Sequence, residues 1–141
     1  MKRKASALWR GDLKTGKGNI STDSGVLRET QYSFSARFEN GVGTNPEELI
    51  AAAHAGCFAM AFSSELGKVG LKPESIAATA TVTLEMLPTG PTVTESHLDV
   101  TVKVPGADKT KVLDVANVAK AGCPISRLLN AKVSMDAQVE V

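Results

Sequence analysis

Cysteine is almost missing: the 141 residues hold two thiols, Cys57 and Cys123, sixty-six positions apart. There is no C-x-x-C pair, which argues against a thioredoxin-like disulfide exchanger. Two cysteines and two histidines fit no zinc motif, so no metal site is expected. Aromatic residues make up 4% of the chain, too few for a base-stacking surface. The formal net charge is +1 with the signs mixed, so no basic footprint for nucleic acid exists. Glycine-rich phosphate loops and dinucleotide fingerprints are absent, and no cofactor is implied. The basic start, Met1 to Lys4, leads into no apolar segment of the secretory kind. The longest apolar run, 49–62, is shorter than a bilayer span and holds His54. Repeats, low-complexity tracts and linkers are lacking. These absences leave a soluble, cytoplasmic protein of one domain, 1–141, with no nucleic-acid or membrane partner. An apolar fraction of 43% is enough for a core.

What is present reads as strands and helices in alternation. KASALW (4–9) suits a first strand, and glycines punctuate the chain to about residue 30. Tyr32, Phe34, Ala36 and Phe38 alternate with Ser33, Ser35, Arg37 and Glu39, the period of a half-buried strand with Arg37 on the opposite face. Thr44 or Asn45 can cap a long helix, with Pro46, Glu47 and Glu48 in its first turn and Gly70 past its end. Residues 50, 53, 57, 60 and 61 are expected on its buried face. Gly56 within it suggests another backbone passing close to Cys57, since glycine there costs about 1 kcal/mol. Two long strands alternate over 76–86 and 94–104, with Leu98, Val100, Val102 and Val104 inward. A second helix runs from about Asp108 to Ala121 and breaks at Gly122-Cys123-Pro124, because the residue before a proline avoids helical geometry. Ser126 is read as capping a short turn, and a final strand carries Val133, Met135, Ala137, Val139 and Val141 on one face. The order specifies an α+β fold with mainly antiparallel sheets. The small-residue-rich first helix reads as central, covered on more than one side.

The thiolate is the reactive form of cysteine, and apolar burial disfavours it. Cys57 lies too far along its helix to gain from the dipole. A nucleophilic Cys57 therefore needs a cation, and Arg37 is one that stays charged, with Glu47 able to hold its guanidinium. Ten residues of helix rise about 15 Å. Glu47 and Cys57 therefore cannot meet on one straight helix: either the helix begins later, or Glu47 serves the cysteine of a partner chain, and the second reading is favoured. Each residue also has a plainer reading. Cys57 alone would be a small buried hydrophobe, Arg37 a solvated strand residue, and Glu47 a carboxylate at a helix start. His54, one helical turn before Cys57, raises a Cys-His pair as an alternative. His97 is expected to be exposed, and Trp9 and the aromatics near Phe34 to be core or dimer contacts. Phe58 and Met60 serve equally as core or as an alkyl pocket.

The stretch SFSARFENGVGTNPEELIAAAHAGCFAMAFS and the later AGCPIS segment resemble the signatures of the OsmC/Ohr family, the osmotically inducible and organic hydroperoxide resistance proteins. The resemblance covers essentially the whole chain. The arginine just before the glycine loop is closer to the OsmC branch. The resemblance implies an OsmC-like fold, antiparallel sheets around a long central helix, in an intertwined homodimer. It implies a thiol peroxidase for organic hydroperoxides and hydrogen peroxide, in oxidative or osmotic stress defence. Carried over residue by residue, Cys57 matches the peroxidatic cysteine and Cys123 the resolving one, while Arg37 and Glu47 match the residues that activate the thiolate. An external dithiol, of lipoyl type for instance, would close the cycle. Two other readings remain beside it: a thiol-based redox sensor, and a non-catalytic protein of the same fold that binds an apolar small molecule.

Overall fold

The computed structural model describes residues 1–141. The chain forms two compact units, Met1–Leu49 and Ile50–Val141.

The first unit is a small antiparallel sheet with one short helix. Strands β1 (Ala5–Arg10), β2 (Lys17–Thr22) and β3 (Thr30–Tyr32) pair in that order. Trp9 stands opposite Gly18, which in turn faces Tyr32. A Cβ at Gly18 would fall 2.4 Å from Cε1 of Tyr32 and 2.7 Å from Cε3 of Trp9. Glycine is thus what allows the two rings to meet, with centroids 5.4 Å apart.

The strand expected across 32–38 stops at Tyr32. Phe34–Phe38 is a single helical turn, α1. The reason is local: the Ser33 hydroxyl accepts the Ala36 N–H at 3.2 Å, an N-cap that starts a helix where alternation suggested a strand. Phe34 and Phe38, four apart, then stack on one face at 4.9 Å. After α1, Gly43 takes φ +120° and passes so near Gln31 that a Cβ would lie 2.3 Å from its carbonyl oxygen. This lets Thr44 N–H bond to that carbonyl at 2.9 Å.

Helix α2 (Pro46–Lys68) begins as expected. Asn45 Oδ1 accepts the Glu48 N–H at 2.8 Å and Glu47 and Glu48 occupy the first turn. Gly70, at φ +76°, lies just past its end. Its 23 residues are long and apolar enough to cross a membrane by length and composition, more than the run 49–62 suggested. The buried stripe is not the one expected. Residues 54, 58, 62 and 66, spaced by four, are fully buried, whereas Ala53 and Met60 are exposed and Ile50, Cys57 and Ala61 are half-buried. Small residues all round α2 hide this stripe from a reading of polarity. Nothing in the chain lies within 4 Å of a Cβ placed on Gly56, so the close approach expected there is not made within one chain.

The second unit is a βαβ arrangement with a leading hairpin. Strands β4 (Ser75–Leu87) and β5 (Gly90–Lys103) pair antiparallel, with a register shift at Thr83/Leu84. Helices α3 (Lys109–Gly122) and α4 (Pro124–Leu128) then cross over to β6 (Lys132–Glu140), which lies parallel to β5. Asp108 caps α3, accepting from Thr110 and Lys111 N–H. Its buried stripe, Val112, Val115, Ala116 and Ala119, continues one turn further to Cys123. Phe58, Phe62 and Leu66 pack in one core with Leu98, Val100 and Val102 and with this α3 stripe. Truncating Phe62 to alanine would cost about 3–5 kcal/mol. On β6, Val133, Met135, Ala137 and Val139 pack against this core, and Val141 lies exposed beyond the strand end.

Candidate active site

The four residues singled out from the sequence fall into two pairs, one in each unit. In the first unit, Arg37 and Glu47 form a forked ion pair. Arg37 Nε donates to both Glu47 oxygens at 3.2 Å, and Nη2 donates to Oε1 at 2.8 Å. Glu47 is the more buried partner, 13% exposed against 36% for Arg37. The carboxylate comes from the first turn of α2 and the guanidinium from the last of α1. Asn45 ties the two elements together, its Nδ2 donating to Ala36 O at 3.2 Å. Glu48, the neighbouring carboxylate, is engaged by the Thr44 hydroxyl at 2.9 Å, which leaves Glu47 as the partner of Arg37. The fork uses only part of the five-donor guanidinium, so further N–H groups remain to meet an anion.

Arg37 also borders a cavity of about 230 Å³ walled by Trp9, Leu13, Tyr32, Phe34 and Phe38. Its guanidinium carbon lies 5.2 Å from the Phe38 ring centre. These aromatics, expected as core or dimer contacts, line an apolar pocket with one cationic side. The two-residue spacing that suggested a strand is the signal that concealed it.

In the second unit, Cys57 of α2 packs against the core cluster that contains Cys123, at the junction of α3 and α4. Both are free thiols, Cys57 half-buried and Cys123 fully buried. Cys123 adopts φ −54° and ψ 131°, outside the helical region, as the following Pro124 demands. Burial pushes the Cys57 thiol up from its ordinary value, and the hydrogen bond with Cys123 pushes it the same way. The Ile125 backbone opposes both, favouring the thiolate. No cation is among the groups that act on the Cys57 thiol.

His54 is neither a ligand nor a partner for Cys57. Its Nδ1 meets the Ser96 hydroxyl at 2.6 Å and its Nε2 meets the Ser126 hydroxyl at 2.8 Å, so both ring nitrogens are taken. Ser126 lies inside α4 and bonds to this ring, rather than capping a turn as its position suggested. Burial holds the imidazole below its ordinary pKa. Phe58 is fully buried core, whereas Met60 is exposed.

His97 is half-buried rather than exposed. The Ser134 hydroxyl donates to Glu95 at 2.5 Å and accepts from His97 Nδ1 at 2.6 Å. Nε2 then lies 3.2 Å from Asp136 and 3.5 Å from Asp99, both exposed on the outer sheet face.

Comparison with known proteins places the chain in a family. Residues 38–138 match the family described as OsmC-like protein, starting one residue after Arg37. Over 138 residues the chain is 48% identical to "Peroxiredoxin OsmC" of Escherichia coli, covering 98% of this chain and 96% of that one. It is 29% identical to an organic hydroperoxide resistance protein of Xanthomonas axonopodis pv. citri, covering 82% and 80%. Among solved structures, OhrB of Bacillus subtilis superposes with a TM-score of 0.68 at 24% identity, covering 97% of this chain and 98% of that one. An OsmC-like protein from Vibrio cholerae superposes at 0.76 and 19% identity, covering 98% and 99%. The fold is therefore that of the OsmC and Ohr proteins, and with nearly half its residues shared with a full-length relative, the chain belongs to the OsmC-like protein family.

Proposed function

We propose that the chain is a cysteine-based peroxidase that reduces organic hydroperoxides and hydrogen peroxide in stress defence. The observation that carries the reading is the packing of two free thiols, Cys57 and Cys123, at one core cluster. The names of the relatives, a peroxiredoxin and an organic hydroperoxide resistance protein, support it.

The Cys57 thiolate attacks one oxygen of the O–O bond. The sulfur–oxygen bond forms, the O–O bond breaks, and the leaving oxygen takes a proton to depart as alcohol or water. Cys57 is then a sulfenic acid. The Cys123 sulfur attacks it, forming the disulfide and releasing water. An external dithiol reduces that disulfide by exchange, itself becoming oxidised. Apart from the peroxide and the external dithiol, these steps use only the protein's own residues. Arg37, held by Glu47, stabilises the thiolate and the charge that develops on the leaving oxygen. The aromatic pocket beside Arg37 suits the alkyl part of an organic hydroperoxide.

The working form is a homodimer of single-domain, cytoplasmic chains. Glu47 and Cys57 both lie on α2, about 15 Å apart along its axis. That separation supports a site in which the Arg37–Glu47 pair of one chain serves the cysteines of its partner. The open surface at Gly56 and the exposed Ala53 and Met60 support a second chain packed on α2.

The test is the intact mass of the reduced protein, under non-reducing conditions, after one equivalent of cumene hydroperoxide. Rapid loss of two hydrogens is expected, replaced in Cys123→Ser by a trappable sulfenic acid on Cys57. An unchanged mass with both thiols free would refute the reading.

A further inference from the structure

The buried histidine of α2 is used by none of these steps, yet it occupies the best-packed face of the helix. His54, Ser96 and the neighbouring Phe58, Phe62 and Leu66 are all fully buried. A leucine at position 54 would pack without a polar requirement, whereas an imidazole must find partners for both nitrogens. It finds them on two different elements. Ser96 on β5 accepts or donates at Nδ1, and Ser126 on α4 does the complementary service at Nε2. The ring carries one proton, so one serine donates to it and the other accepts from it.

The element secured in this way is α4, only five residues long. A helix of that length does not hold itself together in water, so its position depends on tertiary ties. Cys123 immediately precedes α4, Ile125 is its second residue and Ser126 its third. Cys123 and Ile125 of this segment belong to or pack against the core cluster that Cys57 also touches, and both act on the Cys57 thiol. The His54–Ser126 bond therefore anchors the segment one residue from Ile125 and three from the resolving thiol. On the other side, His54 lies one turn before Cys57 on the same helix.

We propose that His54 is a positioning residue: by bridging Ser96 and Ser126 it holds the Cys123–Ser126 segment so that both the Ile125 backbone and the Cys123 thiol face the Cys57 sulfur. The inference rests on the two-thiol reading of the site, and its test separates the two. The bridge serves two events, stabilisation of the thiolate and closure of the disulfide. Loss of the bridge weakens both while leaving the nucleophile and the resolving thiol chemically intact.

The experiment uses the full-length Ser126→Ala protein, which removes one hydroxyl from a half-buried site. Disulfide closure is driven by diamide, an azo oxidant that takes up the two electrons and two protons of the thiols and needs no peroxide chemistry. In Cys123→Ser backgrounds, alkylation of Cys57 by iodoacetamide is followed against pH. Closure is expected to slow roughly 3- to 10-fold in Ser126→Ala, the worth of one net hydrogen bond. The alkylation profile is expected to move to higher pH. Ser126→Thr, which keeps the hydroxyl, should restore both. Parental closure rate and alkylation profile in Ser126→Ala would overturn the proposal, as would a Ser126→Thr protein that behaves like the alanine variant. His54→Gln, which can still reach toward Ser126, should fall between parent and Ser126→Ala. If it fails to fold, the serine pair decides alone. A parent that closes with diamide but ignores cumene hydroperoxide would sink the peroxidase reading and leave this inference standing. A slowed closure confined to peroxide would do the reverse.

Discussion

The two halves of the candidate site differ in almost every physical respect. Arg37 and Glu47 sit at the surface of the first unit beside an aromatic pocket, fixed by a forked ion pair and by Asn45. Cys57 and Cys123 sit against the core of the second unit, held by backbone geometry and by a neutral histidine bridge. One half carries charge; the other carries thiols, and at Cys57 burial disfavours the charged form. The contrast teaches why the proposed mechanism needs both halves: burial favours the protonated thiol, and a preformed guanidinium brought to it would favour the thiolate.

The largest effect that can break this comparison is removal of the nucleophile. Cys57→Ser should abolish consumption of cumene hydroperoxide in the presence of excess dithiol, whatever happens at Arg37. Removal of the charge comes next. Arg37→Ala should lower the peroxidase rate by about 10²- to 10³-fold, as for loss of a preorganised donor to a developing oxyanion. Arg37→Lys should recover only part, because a point charge cannot fork to Glu47 and the substrate at once.

A mixing experiment sharpens the comparison by asking whether the halves come from two chains. Glu47→Ala and Cys57→Ser chains, each inactive, should regain about a quarter of parental activity when unfolded together and refolded in equal amounts. Half of the dimers would then be mixed, with one complete site in each. No recovery would place both halves in one chain.

The smallest effect concerns the bridge under the second half. His54 is held below its ordinary value of 6.5, so the unfolded chain takes up a proton more readily than the folded one. Its contribution is fully present above about pH 6.5 and is lost as pH falls from there through the folded value. Melting temperature should therefore drop between about pH 7 and pH 5, and less so in His54→Gln.

The cysteine half was the more legible in the sequence. The Gly-Cys-Pro break, the capped start of α2 and the inward residues of β5 each follow from a local rule, and the structure has them where the residues put them. The arginine half was misread locally. Phe34, Ala36 and Phe38 have the spacing of a strand, but five residues cannot distinguish a period of two from one helical turn. The Ser33 cap decided for the helix, and with it turned the aromatics toward one pocket. The buried stripe of α2 was hidden for another reason. Alanine, glycine and cysteine surround the helix so evenly that polarity cannot orient it, and its one polar buried member, His54, points to the wrong face until Ser96 and Ser126 are in place. The i, i+4 series His54, Phe58, Phe62, Leu66 was the signal that could have revealed it.

The central claim is that Arg37 offsets what burial does to Cys57. It is tested most directly by the rate of Cys57 alkylation against pH in the Cys123→Ser protein, with and without Arg37→Ala. The account predicts that near pH 6 the parental arginine makes Cys57 react faster than a free thiol, and that Arg37→Ala moves the inflection well above it. Superimposable profiles in the two proteins would contradict it and take the arginine out of the mechanism.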